Sequence, residues 1–292
     1  MTEPQQESPS QAAASRLILM AGDIPSAPPV AFKLMTLLKK RDQHNEDIVE
    51  IIRYDENLTA KLLKLCNSAF FRTGTPVTSV EQVVLKLGYG NIASIAVSLN
   101  VGDVMAKNKK ATYINPYELW RHSLAASMIA KEIAIAGRQS PVDPDTAFTV
   151  GLLHEIGKVV LNSTDPLLTN KIKELVDSRG ISTVEAEREV LGTDYAEIGV
   201  CLLDKWALPA EILDAVKFHI WPESGAPALA QVCHIATLAA SVHCGLCAFE
   251  DIIEYIAPGA LDDLGLFSED IESSLASIKE RSLNVETFMM VA

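Results

Sequence analysis

Residues 147–161 read AFTVGLLHEIGKVVL, a stretch that is almost wholly apolar yet carries His154, Glu155 and Lys158 in its middle. Asp143 can cap a helix start and Pro144 suits its first turn, so the local pattern predicts a helix over these residues. Ionisable side chains are rarely fully buried unless they are paired or ligate a metal. His154 and Glu155 are therefore either a satisfied polar pair or part of a site, and the rest of the chain has to decide between the two.

Working outward, the periodicity stays helical. Alternating runs rich in Val, Ile and Thr are missing, so the expected fold class is all-α. Residues 12–20 form a short amphipathic segment after a polar tail, and a helix is expected from Pro28 or Pro29. Asn45 can cap a helix over 46–53, and residues 58–70 supply another apolar stripe. Ser79 and Gln82 fit a capping box, and an apolar helix is expected over 91–105. The composition shifts at AKNKKAT, residues 106–112, where a boundary between two helical layers is expected. Asn115-Pro116 starts a helix that reaches Gly137 and carries Trp120 and His122. Further helices are expected over 166–179, from Ser182 with Glu185 as a capping box, over 193–206, 209–219 and 227–247, and from Ser268.

The net charge of −13 and pI near 4.9 argue against a nucleic-acid backbone or an anionic membrane as the main partner. No apolar run is long enough to read as a membrane span, and the polar start MTEPQQESPSQ is not a secretory signal. Five unevenly placed cysteines make no disulfide framework, which points to a reducing cytoplasm. No glycine-rich phosphate loop is present, since Gly88-Tyr89-Gly90 stands alone.

The histidines are where chemistry can sit. A metal site of mixed nitrogen and oxygen donors needs about four ligands converging from different helices. His122, His154 and Glu155 can supply three. A second candidate is the HCGLC run, where His243, Cys244 and Cys247 lie roughly on one helical face. A zinc site there needs further ligands, and a redox motif needs a helix N-terminus, so the plainer reading is that of inert buried thiols. Nucleophilic catalysis has little support, because Ser123 follows His122 directly and no G-x-S-x-G turn exists.

GLLHEIGK resembles the GLLHDIGK signature of the HD superfamily of metal-dependent phosphohydrolases. More specifically, the chain resembles an HDOD domain, the HD-related output domain of bacterial signalling proteins. The resemblance runs through IPSAPPVAFKLM, DENLTAKLLKLCNSAFF, VTSVEQVVLKLG, LWRHSLAAS, AFTVGLLHEIGK and EREVLGTDYAEIGVCLLDKWALP, in that order. It implies an N-terminal helical layer packed on an HD-like helical bundle. The expected divisions are a disordered tail over 1–11, an N-terminal helical subdomain over 12–112, the HD-like subdomain over 113–250 and a C-terminal extension over 251–292.

By the same resemblance, His122 matches the first histidine of the superfamily site and His154 the central one, with Glu155 in place of aspartate. Lys158 matches a lysine that faces substrate phosphate in active relatives. Tyr195 stands where many relatives have histidine. His219 matches the first of a His-His pair, with Ile220 in place of the second, and Thr237 stands where the closing aspartate belongs. The substitutions imply a vestigial site formed by His122, His154, Glu155, Lys158, His219 and Thr237. The expectation is a non-catalytic regulatory protein that meets signalling proteins in trans, with no cofactor and no metal. The old cleft leaves room for a small nucleotide, and the long apolar helices with Trp221 leave room for a homodimer face. The alternative is a metal-dependent phosphohydrolase acting on a nucleotide or cyclic nucleotide, with a divalent metal on His122, His154 and Glu155.

Overall fold

A computed structural model describes residues 8–21, 45–67, 71, 74–88, 91–92, 94–96, 99, 113–139, 141–223 and 225–279. Every described regular element is an α-helix, as the periodicity predicts. The helix expected from Pro28 or Pro29 and the layer boundary at 106–112 lie outside the described residues. The N-terminal part holds α1 (Pro9–Met20), α2 (Asn45–Arg53), α3 (Glu56–Asn67) and α4 (Val80–Leu87), followed by buried helical residues Ile92, Ile95, Ala96 and Leu99. The bundle comprises α5 (Pro116–Ala136), α6 (Pro144–Leu153), α7 (Ile156–Asn162), α8 (Pro166–Arg179), α9 (Thr183–Leu191), α10 (Tyr195–Lys205), α11 (Ala210–Phe218) and α12 (Ala228–His243). Three shorter elements close the chain: α13 (Phe249–Ile253), α14 (Ala260–Leu264) and α15 (Ser268–Lys279).

The helix starts follow from side chains that satisfy otherwise orphaned N–H groups. Asn115, Asp143 and Asp165 each accept from a first-turn N–H, each with proline just inside the helix. Ser182 and Glu185 form the expected capping box, and Asp194 caps α10, which therefore begins at Tyr195 rather than at Thr193. Helix α1 starts at Pro9, earlier than composition suggests, because Ser8 and Gln11 form a capping box of their own. At α4 the box is only half made. Ser79 accepts from the Gln82 N–H, but the Gln82 side chain accepts from Thr78 N–H instead.

The middle of the bundle is α5, with Ala125, Ile129, Ala130 and Ile133 fully buried, and it packs against α6, α12 and α15. Gly265 and α15 are held to its end by Arg138, which donates to the Gly265 carbonyl and pairs with Asp270. Helix α1, grouped with the N-terminal layer on sequence, lies against α10 and α7, where Ser10 donates to Thr193. The remaining N-terminal layer meets α6 through Asn91 with Asp145 and Ser94 with Thr149. Asn162 at the end of α7 exchanges two 2.9 Å hydrogen bonds with the Ile114 backbone, which clamps the chain where it enters α5.

The helix expected over 147–161 is not continuous. It breaks at His154-Glu155, where Glu155 (φ −102°, ψ 14°) leaves the helical region and α7 starts afresh. The break lets α7 press onto α10. A Cβ on Gly157 would stand 1.9 Å from the Tyr195 carbonyl oxygen and 2.8 Å from the Gly199 nitrogen, both backbone atoms that cannot swing aside. We therefore expect Gly157→Ala to cost roughly 3 kcal/mol, the upper end of core overpacking. Gly180→Ala, at a left-handed helix end with open space around it, should cost only about 1 kcal/mol of backbone strain. Urea denaturation of the two variants checks the ranking.

Candidate functional site

The break between α6 and α7 turns two polar side chains into the bundle. His154, fully buried, lies with Nδ1 2.8 Å from the Gly151 carbonyl, which can only accept, so the ring donates from Nδ1. Its Nε2 keeps a bare lone pair with no hydrogen-bond partner and stands 4.0 Å from Glu155 Oε1. His122, contributed by α5, has its ring centroid 5.5 Å from that of His154, and neither of its nitrogens is hydrogen-bonded. One donor atom each from His122, His154 and Glu155 lies within 4.8 Å of the others, the one such grouping of potential metal ligands among the described residues.

The other residues expected at the site are already engaged. Lys158, one turn along α7, is ion-paired with Glu155 and places Nζ 4.5 Å above the Tyr195 ring. His219 at the end of α11 donates from Nδ1 to the Val216 carbonyl at 2.6 Å. Its Nε2 accepts from the Tyr195 hydroxyl at 3.0 Å, and its ring stands edge-on to His154 at 5.1 Å. Thr237 does not join the cluster through its hydroxyl, which donates to the Cys233 carbonyl of its own helix at 2.8 Å.

Burial sets the protonation of this cluster. It pushes His154 well below the ordinary histidine range, His219 down to about 4, and His122 downward as well, so all three imidazoles are neutral at pH 7. Burial pushes Glu155 the other way. The Lys158 ammonium, acting together with the facing His122 and His154 rings, more than offsets burial and holds the carboxyl below its usual range. The result is three neutral rings around one internally neutralised ion pair.

Sequence reasoning missed two supporting residues. Glu187 is fully buried and accepts from the Tyr113 hydroxyl and, at 2.8 Å, from the Tyr195 N–H; burial raises its carboxyl to about 7. It fixes the start of α10, and hence the tyrosine that occupies His219. Nothing in EREVLGTDY separates this glutamate from its exposed neighbour Glu189. His234 is a satisfied core histidine that donates to the His219 carbonyl at 2.8 Å and accepts from the Ala257 N–H at 3.1 Å. The HCGLC run joins no metal grouping among the described residues. Helix α12 ends at His243, with Cys244 buried in the following turn, and burial raises the thiols of both Cys244 and Cys247.

A family model for the HDOD domain matches residues 24–222. The chain belongs to the HDOD family. Among curated relatives it is 27% identical to an uncharacterised protein of Treponema pallidum (strain Nichols) over 197 residues, 68% of this chain and 37% of that protein. It is 23% identical to the uncharacterised protein YuxH of Bacillus subtilis (strain 168) over 169 residues, 57% of this chain and 38% of the relative. The HDOD chain thus spans less than two-fifths of the length of either. Two solved structures superpose with a TM-score of 0.74. One is an HDOD domain protein of unknown function from Geobacter sulfurreducens, at 23% identity, covering 94% of this chain and 96% of that one. The other, from Shewanella amazonensis SB2B and provisionally named a phosphohydrolase, is 21% identical and covers 98% and 100%. A third, from Marinobacter aquaeolei VT8 and provisionally named a signal transduction protein, is 19% identical with a TM-score of 0.72, covering 96% and 65%. These likenesses show an HDOD fold along nearly the whole chain.

The buried imidazoles make acid stability a direct readout of the cluster. A histidine whose folded pKa lies below its unfolded value contributes stability that is present above about 6.5 and lost as pH falls. The melting temperature should therefore decline between pH 6.5 and 4, the window set by His219. Glu187 opposes this decline, because its raised pKa favours the folded state as pH falls from about 7. Differential scanning fluorimetry across this range should show a shallower decline for His219→Gln and a steeper one for Glu187→Gln.

Proposed function

We propose that this HDOD protein is a non-catalytic regulatory component of bacterial signal transduction, acting in the cytoplasm through contacts with other signalling proteins, around an HD site that no longer holds a metal. The observation that carries this reading is the Glu155–Lys158 ion pair. Glu155 is the cluster's one carboxylate, and its charge is already cancelled by a side chain three residues away. A dication added to neutral His122 and His154 would leave a net charge of about +2 in a buried site, a burden that low-dielectric surroundings penalise heavily. The tyrosine on His219 and the threonine at position 237 point the same way: one fills a lone pair, and the other offers no carboxylate. The Marinobacter relative's provisional name as a signal transduction protein is consistent with this role.

A second reading has one observation in its favour. His122 and His154 keep bare ring nitrogens near Glu155, and sets of two histidines and one glutamate do hold catalytic zinc elsewhere. In that reading the three residues would hold a divalent metal, which would supply Lewis-acid activation of a water, and Lys158 would face a substrate phosphate. The donors fit such an ion in kind and spacing; the charge balance does not. A nucleotide bound without turnover beside the cluster is compatible with the regulatory reading.

Removing the competing ammonium separates the two. Lys158→Met should bind zinc at least about tenfold more tightly than the parent in calorimetric titration, because Glu155 is then free to ligate. The parent protein should show no phosphatase or phosphodiesterase turnover above that of His154→Ala. Turnover that His154→Ala abolishes in a folded protein would replace the regulatory reading with the hydrolase.

A further inference from the structure

Two exposed aromatic residues sit on backbone segments that one buried imidazole holds. Trp221 is 54% exposed and Tyr255 is 62% exposed, whereas His234 beside them is only 4% exposed. The His234 ring meets the Trp221 ring edge-on, with centroids 6.1 Å apart. On its other side Nε2 accepts from Ala257 N–H and lies 3.2 Å from the Tyr255 carbonyl oxygen. Its Nδ1 donates to His219, two residues before Trp221. One core side chain thus pins both backbone segments that carry the aromatics. Phe218 and Ile253, 40% and 37% exposed, lie on the same two segments. Exposed aromatics on a fixed backbone are good anchors for a partner, since little backbone ordering remains to be lost on binding.

The charge around this face is mainly acidic, with Lys217, 5.6 Å from the Phe218 ring centroid, as a cation at its edge. From residue 218 to residue 278 the chain contains nine aspartates and glutamates and not one lysine or arginine. Glu223 and Glu254 flank the two aromatics in sequence, and both are exposed. Asp270 is answered by Arg138 from α5. Exposed tryptophan and tyrosine faces attract cations, and neighbouring carboxylates add to that attraction.

We propose that the Trp221–Tyr255 face docks a basic segment of a partner protein, one in which lysine or arginine alternates with apolar residues. The proposal rests on the regulatory reading of this chain and names the surface through which it would act. A second copy of the chain is the poorer occupant, because a two-fold contact would set the same acid-rich face against itself. Nucleic acid and anionic membranes meet the same repulsion. The face also has a route inward: His234 holds the backbone of His219, whose ring belongs to the imidazole cluster.

The test uses the full chain and a fluorescein-labelled peptide of alternating lysine and leucine, followed by anisotropy at physiological ionic strength. Binding with a Kd on the order of micromolar is expected, and none for the matching glutamate and leucine peptide. Trp221→Ala and Tyr255→Ala should each weaken binding about tenfold or more. Glu254→Lys, which leaves both aromatics in place, should weaken it as well, and Glu174→Lys on α8 should leave it unchanged. Equal binding by folded Trp221→Ala and Tyr255→Ala proteins, or equal binding of the two peptides, would overturn the proposal. So would self-association in sedimentation that Trp221→Ala abolishes, since that assigns the face to a second copy. Failure here leaves the regulatory reading intact. Metal bound in a His154-dependent way would sink that reading while leaving the peptide results as they stand.

Discussion

A carboxylate placed inside an apolar helical bundle has to be neutralised, and in this chain Lys158 does it. The break between α6 and α7 brings Glu155 inside, and the first turn of α7 brings Lys158 back over it. The surrounding geometry follows from that turn. Gly157 exists at the closest approach of α7 to the Tyr195 carbonyl, and the same approach sets the Lys158 ammonium over the Tyr195 ring. Tyr195 can then reach His219, and His219 packs edge-on against His154. The cluster is a closed arrangement around one ion pair, with bare nitrogens left only on His122 and His154.

Support for the cluster comes from residues outside it. Glu187 fixes the α10 start by accepting the Tyr195 N–H, and through Tyr113 it ties that start to the chain entering α5. His234 carries the connection outward, from the His219 backbone to the turn at Ala257. Buried polar groups of this kind stabilise only when each finds a partner, and these do. A change at the surface near Trp221 and a change in the cluster are therefore separated by one side chain.

Much of the fold was legible in the sequence because helix starts carry their own chemistry. Asn115-Pro116, Asp143-Pro144 and the Ser182–Glu185 box each announce a helix, and each helix is there. The break at His154-Glu155 was not legible. An apolar run has the same hydrophobic pattern whether or not it is interrupted, and a two-residue turn without glycine or proline leaves no mark. The short helices α13 and α14 escaped for a related reason: five residues are too few to show a period. At the site, the family resemblance picked out His122, His154, Glu155, Lys158, Tyr195 and His219, which do converge. What each side chain does there is set by how separate helices pack. That Tyr195 fills the lone pair of His219, or that Thr237 turns to its own backbone, depends on distances between helices that no spacing within a helix records.

The central claim is that Lys158 takes the charge-balancing place of a metal at Glu155. Elemental analysis of the purified wild-type chain, after dialysis against zinc, manganese and iron, tests it most directly, with His154→Ala as reference. The account predicts no metal beyond the level of the reference. Near-stoichiometric metal in the wild type that disappears in His154→Ala would contradict it.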